Sequence, residues 1–163
     1  MTAGTENIIG VISDTHGLLR PEALHALRGA SLILHAGDIG KPDVLSGLEA
    51  LAPVIAVRGN NDNDDWANAI PECEIVTVDD VQIYLLHDLK DMRIDPVRAG
   101  HRVVITGHSH SPAIDERDGV LYLNPGSAGP RRFRLPVSVA RLQVRGSVPA
   151  AEIIELDIAR GIE

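Results

Sequence analysis

Short runs of β-branched and aliphatic residues recur along this chain, and five of them lead into side chains able to bind a metal. Residues 8–13 run into Asp14-Thr15-His16, residues 32–36 into Gly37-Asp38, and residues 54–57 into Arg58-Gly59-Asn60-Asn61-Asp62. Residues 81–86 end at His87-Asp88, and residues 103–106 at Gly107-His108-Ser109-His110. Runs of this length, ended by Gly, Asp or Asn, read as buried strands. Residues 74–78, 120–124, 138–144 and 150–156 read as further strands, with Asp79-Asp80 as a tight turn between two of them. Residues 21–27 and 42–51 predict helices that start on proline, and residues 91–99 a short helix around Pro96. The order βαβαβ followed by mostly β predicts an α/β fold, a sandwich of two packed β-sheets flanked by helices. No repeat, low-complexity tract or linker divides the chain, so residues 1–163 are expected to form a single domain.

In open α/β sheets, ligands gather outside the carboxyl ends of the strands. The five strand-end motifs should therefore converge. Their chemistry suits a pair of divalent transition metals: imidazoles for Mn, Fe, Ni or Zn, carboxylates and the Asn60 amide oxygen as harder ligands. A shared carboxylate reduces the repulsion between two cations, and metals roughly 3.5–4 Å apart can clamp both ends of an in-line displacement. Gly37, Gly59 and Gly107 let the backbone come close to such a site.

Composition narrows the setting. One Trp, one Phe and two Tyr leave Val, Ile, Leu and Ala to make the core. A net charge of −8 argues against general nucleic-acid binding, but not against an acidic site whose cations act on phosphates. Cys73 is the only cysteine, so no intrachain disulfide forms. The polar start lacks a basic and an apolar region, and no apolar run nears the ~20 residues a bilayer span needs. A cytoplasmic location is expected, with no membrane association.

The series Asp14-X-His16, Gly37-Asp38, Gly59-Asn60-X-Asp62, His87 and Gly107-His108-X-His110 resembles the motifs of the calcineurin-like metallophosphoesterase superfamily. The small size and the closing Asn124-Pro125-Gly126-Ser127 resemble its compact bacterial and archaeal phosphodiesterase branch. The resemblance implies one metal held by Asp14, His16, Asp38 and His110. It implies a second held by Asp38, Asn60, His87 and His108, with Asp38 and a hydroxide as bridges. The hydroxide would attack phosphorus in line, and Asp38, Asn60 and His108 would carry catalytic as well as ligand roles. The implied enzyme is a metal-dependent phosphoric ester hydrolase, most simply a phosphodiesterase acting on a small phosphate ester. Manganese is the first metal expected, with Ni, Fe or Zn as alternatives. Association into a homo-oligomer would match the habit of relatives.

Two positions depart from that pattern. Asn61 stands where many members carry a His that assists the leaving group, and Asp88 stands where Gly usually follows the ligand His. Asp88 could add a ligand, orient His87 or repel an anionic phosphate. Other polar residues carry plainer expectations. His35, inside a strand, is expected to be structural, and His25 and His101 to be solvent-exposed. Asp62 is expected to hold the Asn60 loop or a ligand His by hydrogen bonding. Asp43, Asp64 and Asp65 read as helix-cap and surface charges, and Cys73 as inert. Arg131, Arg132 and Arg134 read either as a solvated loop or as a phosphate-binding fork. A second functional class is a protein-interaction scaffold, because a eukaryotic retromer subunit resembles this fold. The full set of seven ligand-type residues favours the enzyme.

Overall fold

Strand β1 (Asn7–Ile12) sets the layering of the molecule through its alternation. Ile9 and Val11 face one hydrophobic cluster, and Ile12 faces another. In the computed structural model, which describes residues 6–158, β1 lies at the centre of a five-stranded sheet. It pairs in parallel with β2 (Leu32–His35), which pairs in parallel with β3 (Val54–Ala56). On its other side β1 runs antiparallel to β9 (Ser138–Arg145), followed by β10 (Val148–Glu155). A second sheet has the order β4 (Cys73–Val78), β5 (Val81–Leu86), β6 (Val103–Ile105), β8 (Val120–Asn124), β7 (Ala113–Arg117).

The sheets stack face to face. Ile9, Val11, Leu34 and Leu142 from the first share one buried cluster with Val81, Ile83, Leu85, Val103 and Ile105 from the second. Aliphatic β-branched side chains fill this layer, as the scarcity of aromatics requires. Helices α1 (Pro21–Ala26) and α2 (Pro42–Glu49) cover the outer face of the first sheet, placing Ala23, Val44 and Leu48 against Ile12 and Ile33. Both start on proline, whose missing N–H costs nothing in a first turn. No helix among the described residues is long and apolar enough to cross a membrane.

Some sequence expectations need adjustment. Within residues 91–99 only α3 (Pro96–Ala99) is helical, capped by the Asp95 side chain, so Pro96 starts the helix; a short 3₁₀ turn (Leu89–Asp91) precedes it. Strand β7 was not expected, because every residue in it is exposed and Asp115, Glu116 and Arg117 break the apolar pattern. It is an edge strand, where charge blocks pairing with another chain. His101 is not solvent-exposed but 4% accessible, stacked on Tyr84 with ring centres 5.6 Å apart. Burial lowers its pKa. The aromatic partner lies far away in sequence, so the local pattern gave no sign of it. Residues 1–5 and 159–163, including most of the polar start, lie outside the described residues.

Candidate metal centre

The loops after β1, β2, β3, β5 and β6 meet at one edge of the sandwich. Asp14, His16, Asp38, His108 and His110 all adopt left-handed backbone angles, with φ between 48° and 71°. Such angles cost non-glycine residues on the order of 1 kcal/mol each, and they concentrate where function demands them. Asp and His are among the residues that bear this conformation best. The glycines serve close approach. A Cβ on Gly59 would strike the Asp38 carboxylate, and one on Gly107 would strike Ser13 Oγ.

Asp14 is fully buried. Its Oδ2 accepts hydrogen bonds from Ser13 Oγ (2.7 Å) and the His108 backbone N–H (3.0 Å). Its Oδ1 has no hydrogen-bond partner, and neither do the buried Nε2 atoms of His16 and His87. Both nitrogens lie 3.9 Å from that same oxygen, and His110 Nε2 lies 3.4 Å from it. Asp38 Oδ2 stands 3.3 Å from His87 Nε2 and 3.8 Å from His16 Nε2. Two sets therefore converge, Asp14–His16–His110 and Asp14–Asp38–His87, each with ligand atoms within 4.8 Å of one another. Asp14 reaches both sets. Asn60 and His108 stand together at the exposed rim, with Asn60 Oδ1 and His108 Nδ1 3.2 Å apart, and the His108 ring meets that of His87 edge-on at 5.2 Å.

Unpartnered buried polar atoms are costly unless something binds them. A cation is the natural partner of this set, because carboxylate oxygens and imidazole nitrogens aim their lone pairs at common points. The surrounding bonds hold that aim. His87 Nδ1–H donates to the Ala36 carbonyl at 2.7 Å, which leaves Nε2 as the ligand atom. Asp38 accepts the Asn61 backbone N–H at 2.9 Å and the Asn61 side-chain amide at 3.1 Å. Asp62 accepts the N–H groups of Ile39, Gly40 and Gly59, so it ties the second ligand loop to the third and touches no ligand histidine.

His35 is structural, as expected. Gly37 N–H donates to its Nδ1, so its Nε2–H donates to Thr15 Oγ1, and that hydroxyl donates to the Ile39 carbonyl. Burial drives the His35 pKa down to about 4, which keeps the ring neutral. The charges in the centre reinforce one another. Burial alone would raise the Asp38 pKa, but the His87 and Asn61 contacts bring it down to about 2. Burial alone would lower the His87 pKa, but Asp38 and Asp14 raise it.

Sequence reasoning missed Ser13, Thr15 and Ser127 as supports; Ser127 Oγ donates to the Asp14 carbonyl at 3.0 Å. Adjacency to Asp14 pointed to Ser13 and Thr15, and the closing Asn124-Pro125-Gly126-Ser127 contained Ser127 without showing its contact. His25 is exposed on α1, as expected, and Arg131, Arg132, Phe133 and Arg134 form an exposed loop.

The chain has relatives of known family. The chain is 40% identical over 159 residues to a probable metallophosphoesterase of Methanothermobacter thermautotrophicus, covering 90% of this chain and 91% of the relative. It is 32% identical over 137 residues to a phosphodiesterase of Methanocaldococcus jannaschii, covering 72% and 82%. Among solved structures, vacuolar protein sorting 29 of Cryptosporidium parvum superposes with a TM-score of 0.79 at 21% identity, over 96% of this chain and 93% of that one, a likeness of fold alone. The family model for the calcineurin-like phosphoesterase superfamily domain matches residues 8–147, and the chain belongs to that superfamily.

Proposed function

We propose that the chain is a metal-dependent phosphodiesterase whose dinuclear centre is built by Asp14, His16, Asp38, Asn60, His87, His108 and His110. The observation that carries this reading is the pair of ligand sets that share Asp14, in which the buried Asp14 Oδ1, His16 Nε2 and His87 Nε2 have no hydrogen-bond partner. Bound cations would supply water activated near neutral pH and would offset charge building on the phosphoryl oxygens. The chain's own work is to hold and orient. Asp38 keeps its two oxygens fixed by accepting from Asn61, and His87 keeps Nε2 free by donating Nδ1–H to Ala36. Asn60 and His108 stand at the open rim, where a phosphate ester arrives from solvent, so they are the residues that meet it together with Asp38.

Manganese fits the mixed oxygen and nitrogen set, and Ni, Fe or Zn would also bind it. The reading takes residues 1–163 as one metallophosphoesterase domain working in the cytoplasm on a small ester. The scaffold alternative has only fold likeness in its support, whereas the relatives above 30% identity carry phosphoesterase names.

Anomalous scattering from Mn²⁺-soaked crystals should show two peaks within about 4 Å of each other. The same protein should hydrolyse bis(p-nitrophenyl) phosphate only with metal present. A single peak, or one away from these seven residues, would refute the dinuclear centre.

A further inference from the structure

We propose that Asp88 selects phosphodiesters over phosphomonoesters, an inference that rests on the phosphoesterase reading of the adjoining centre. Two hollows flank that centre. One, of about 400 Å³, borders Asn60 and His87; the other, of about 580 Å³, borders His108. Asp88 lines both. It follows His87 directly, and its Oδ2 stands 3.6 Å from His108 Nε2. Its Oδ1 accepts the Lys90 N–H at 3.1 Å, which fixes the side chain between the hollows.

A diester has two substituents and one negative charge on phosphorus. A monoester has one substituent and, near neutral pH, close to two charges. Each hollow is large enough for one organic substituent, so a phosphate at the centre can send an arm to either side of Asp88. Neither hollow has an excess of cationic over anionic lining residues. Arg58 and Arg93 in the first face Glu72, Asp88 and Asp91, and Arg58 is already paired with Glu72 at 3.0 Å. Lys90 and Arg117 in the second face Asp88 and Asp115, and Arg117 is paired with Asp115 at 2.7 Å. The fitting substrate is a monoanionic phosphate with two uncharged arms. At a separation of ~4 Å and with water-like screening, the Asp88 carboxylate would disfavour the extra charge of a monoester by about five-fold in affinity.

The test compares the Mn²⁺-loaded protein with Asp88→Asn and Asp88→Gly. Asparagine keeps an oxygen for the Lys90 N–H and loses the charge. Bis(p-nitrophenyl) phosphate and p-nitrophenyl phosphate release the same nitrophenolate, so the ratio of their kcat/KM isolates the recognition of charge and arms. Both variants should move that ratio about five-fold toward the monoester, and less at high salt. Calorimetric titration gives a readout free of turnover. Inorganic phosphate should gain several-fold more affinity in the variants than the monoanion dimethyl phosphate does, because it carries the larger charge. An unchanged ratio with unchanged phosphate affinity would overturn the proposal. So would loss of a metal ion from the variants, since Asp88 would then act on the metals. If the wild-type protein holds its metals yet cleaves neither ester, the phosphoesterase reading fails instead, and the phosphate titration alone decides the part of Asp88.

Discussion

The two sheets contribute unlike halves of the centre. From the first come both carboxylates, the Asn60 amide and a single imidazole, His16; from the second come three imidazoles, His87, His108 and His110. The carboxylate half is held by many donors. Ser13 Oγ and the His108 N–H fix Asp14, Asn61 fixes Asp38, and Asp62 binds three backbone N–H groups across two loops. The imidazole half is held by packing and by two bonds, His87 Nδ1–H to the Ala36 carbonyl and His108 Nδ1 with Asn60 Oδ1, and His108 has a 46% exposed side chain. Negative charge is thus locked in place on one side, while the residues that can exchange a proton for a cation stand on the other. Variants on the two sides should fail differently.

The largest contrast is between Asp38→Ala and a surface change. Asp38 faces two imidazoles, so its loss should abolish turnover and lower metal occupancy at both positions, read by elemental analysis. His108→Ala, at the exposed rim, should spare the inner position and lower occupancy at the outer one. His25→Ala on α1 should leave both occupancy and activity near wild type. Equal behaviour of Asp38→Ala and His25→Ala would end the assignment of the site.

Next in size is the dependence on leaving group. General acid help is worth ~10²–10⁴-fold, and Asn61 cannot give it. Its amide is committed to the Asp38 carboxylate in any case, at 3.1 Å. Catalytic efficiency should therefore fall steeply as leaving-group pKa rises across a series of aryl phosphodiesters. Asn61→Ala should also loosen Asp38 and weaken metal binding, so the residue belongs to the carboxylate half. A flat dependence with chemistry rate-limiting would mean that another group supplies the proton.

A smaller effect comes from the glycines. Gly59→Ala would drive a methyl into the Asp38 carboxylate and backbone, where nothing can yield without moving a ligand. A loss of 10–100-fold in metal affinity is expected, as for other supports of a ligand. Gly119, in the hairpin turn of the second sheet, has φ +79° and open space around it. Gly119→Ala should cost about 1 kcal/mol in stability and leave metal binding unchanged. Thermal melts with and without Mn²⁺ separate the two.

Most of the carboxylate half was legible in the sequence, because ligands that follow buried strands are read from the apolar runs before them. The strand limits at 81–86 and 120–124 match the observed β5 and β8, and Pro21 and Pro42 mark both helix starts. What could not be read depends on contacts between distant residues. His101 is buried by Tyr84, β7 exists only through its pairing with β8, and the Asn61 amide turns to Asp38 from 23 positions away. The left-handed angles at five candidate ligands were equally hidden, since Asp and His adopt them only under tertiary constraint.

The smallest predicted effect concerns pH, and it reverses sign with metal. In metal-free protein the His87 pKa lies above the ordinary imidazole value of 6.5, because Asp38 and Asp14 outweigh burial. A raised folded pKa contributes stability that is complete below the unfolded value and is lost as pH rises through the folded one. On the acid side His35, lowered to about 4, stays neutral while the unfolded chain takes up a proton, so stability falls as pH drops below 6.5. Asp38, lowered to about 2, adds its own loss as pH falls from the ordinary carboxylate value of 3.8 toward that value. Metal-free protein should thus melt highest near pH 6.5 and lose stability as pH rises through the raised pKa of His87. With Mn²⁺ the proton on His87 Nε2 competes with the cation, so binding strengthens and Tm rises over that same interval. In His87→Gln the alkaline decline of the metal-free protein should disappear. A decline of equal size in that variant would place its origin outside the centre and detach the imidazole half from the charges that face it.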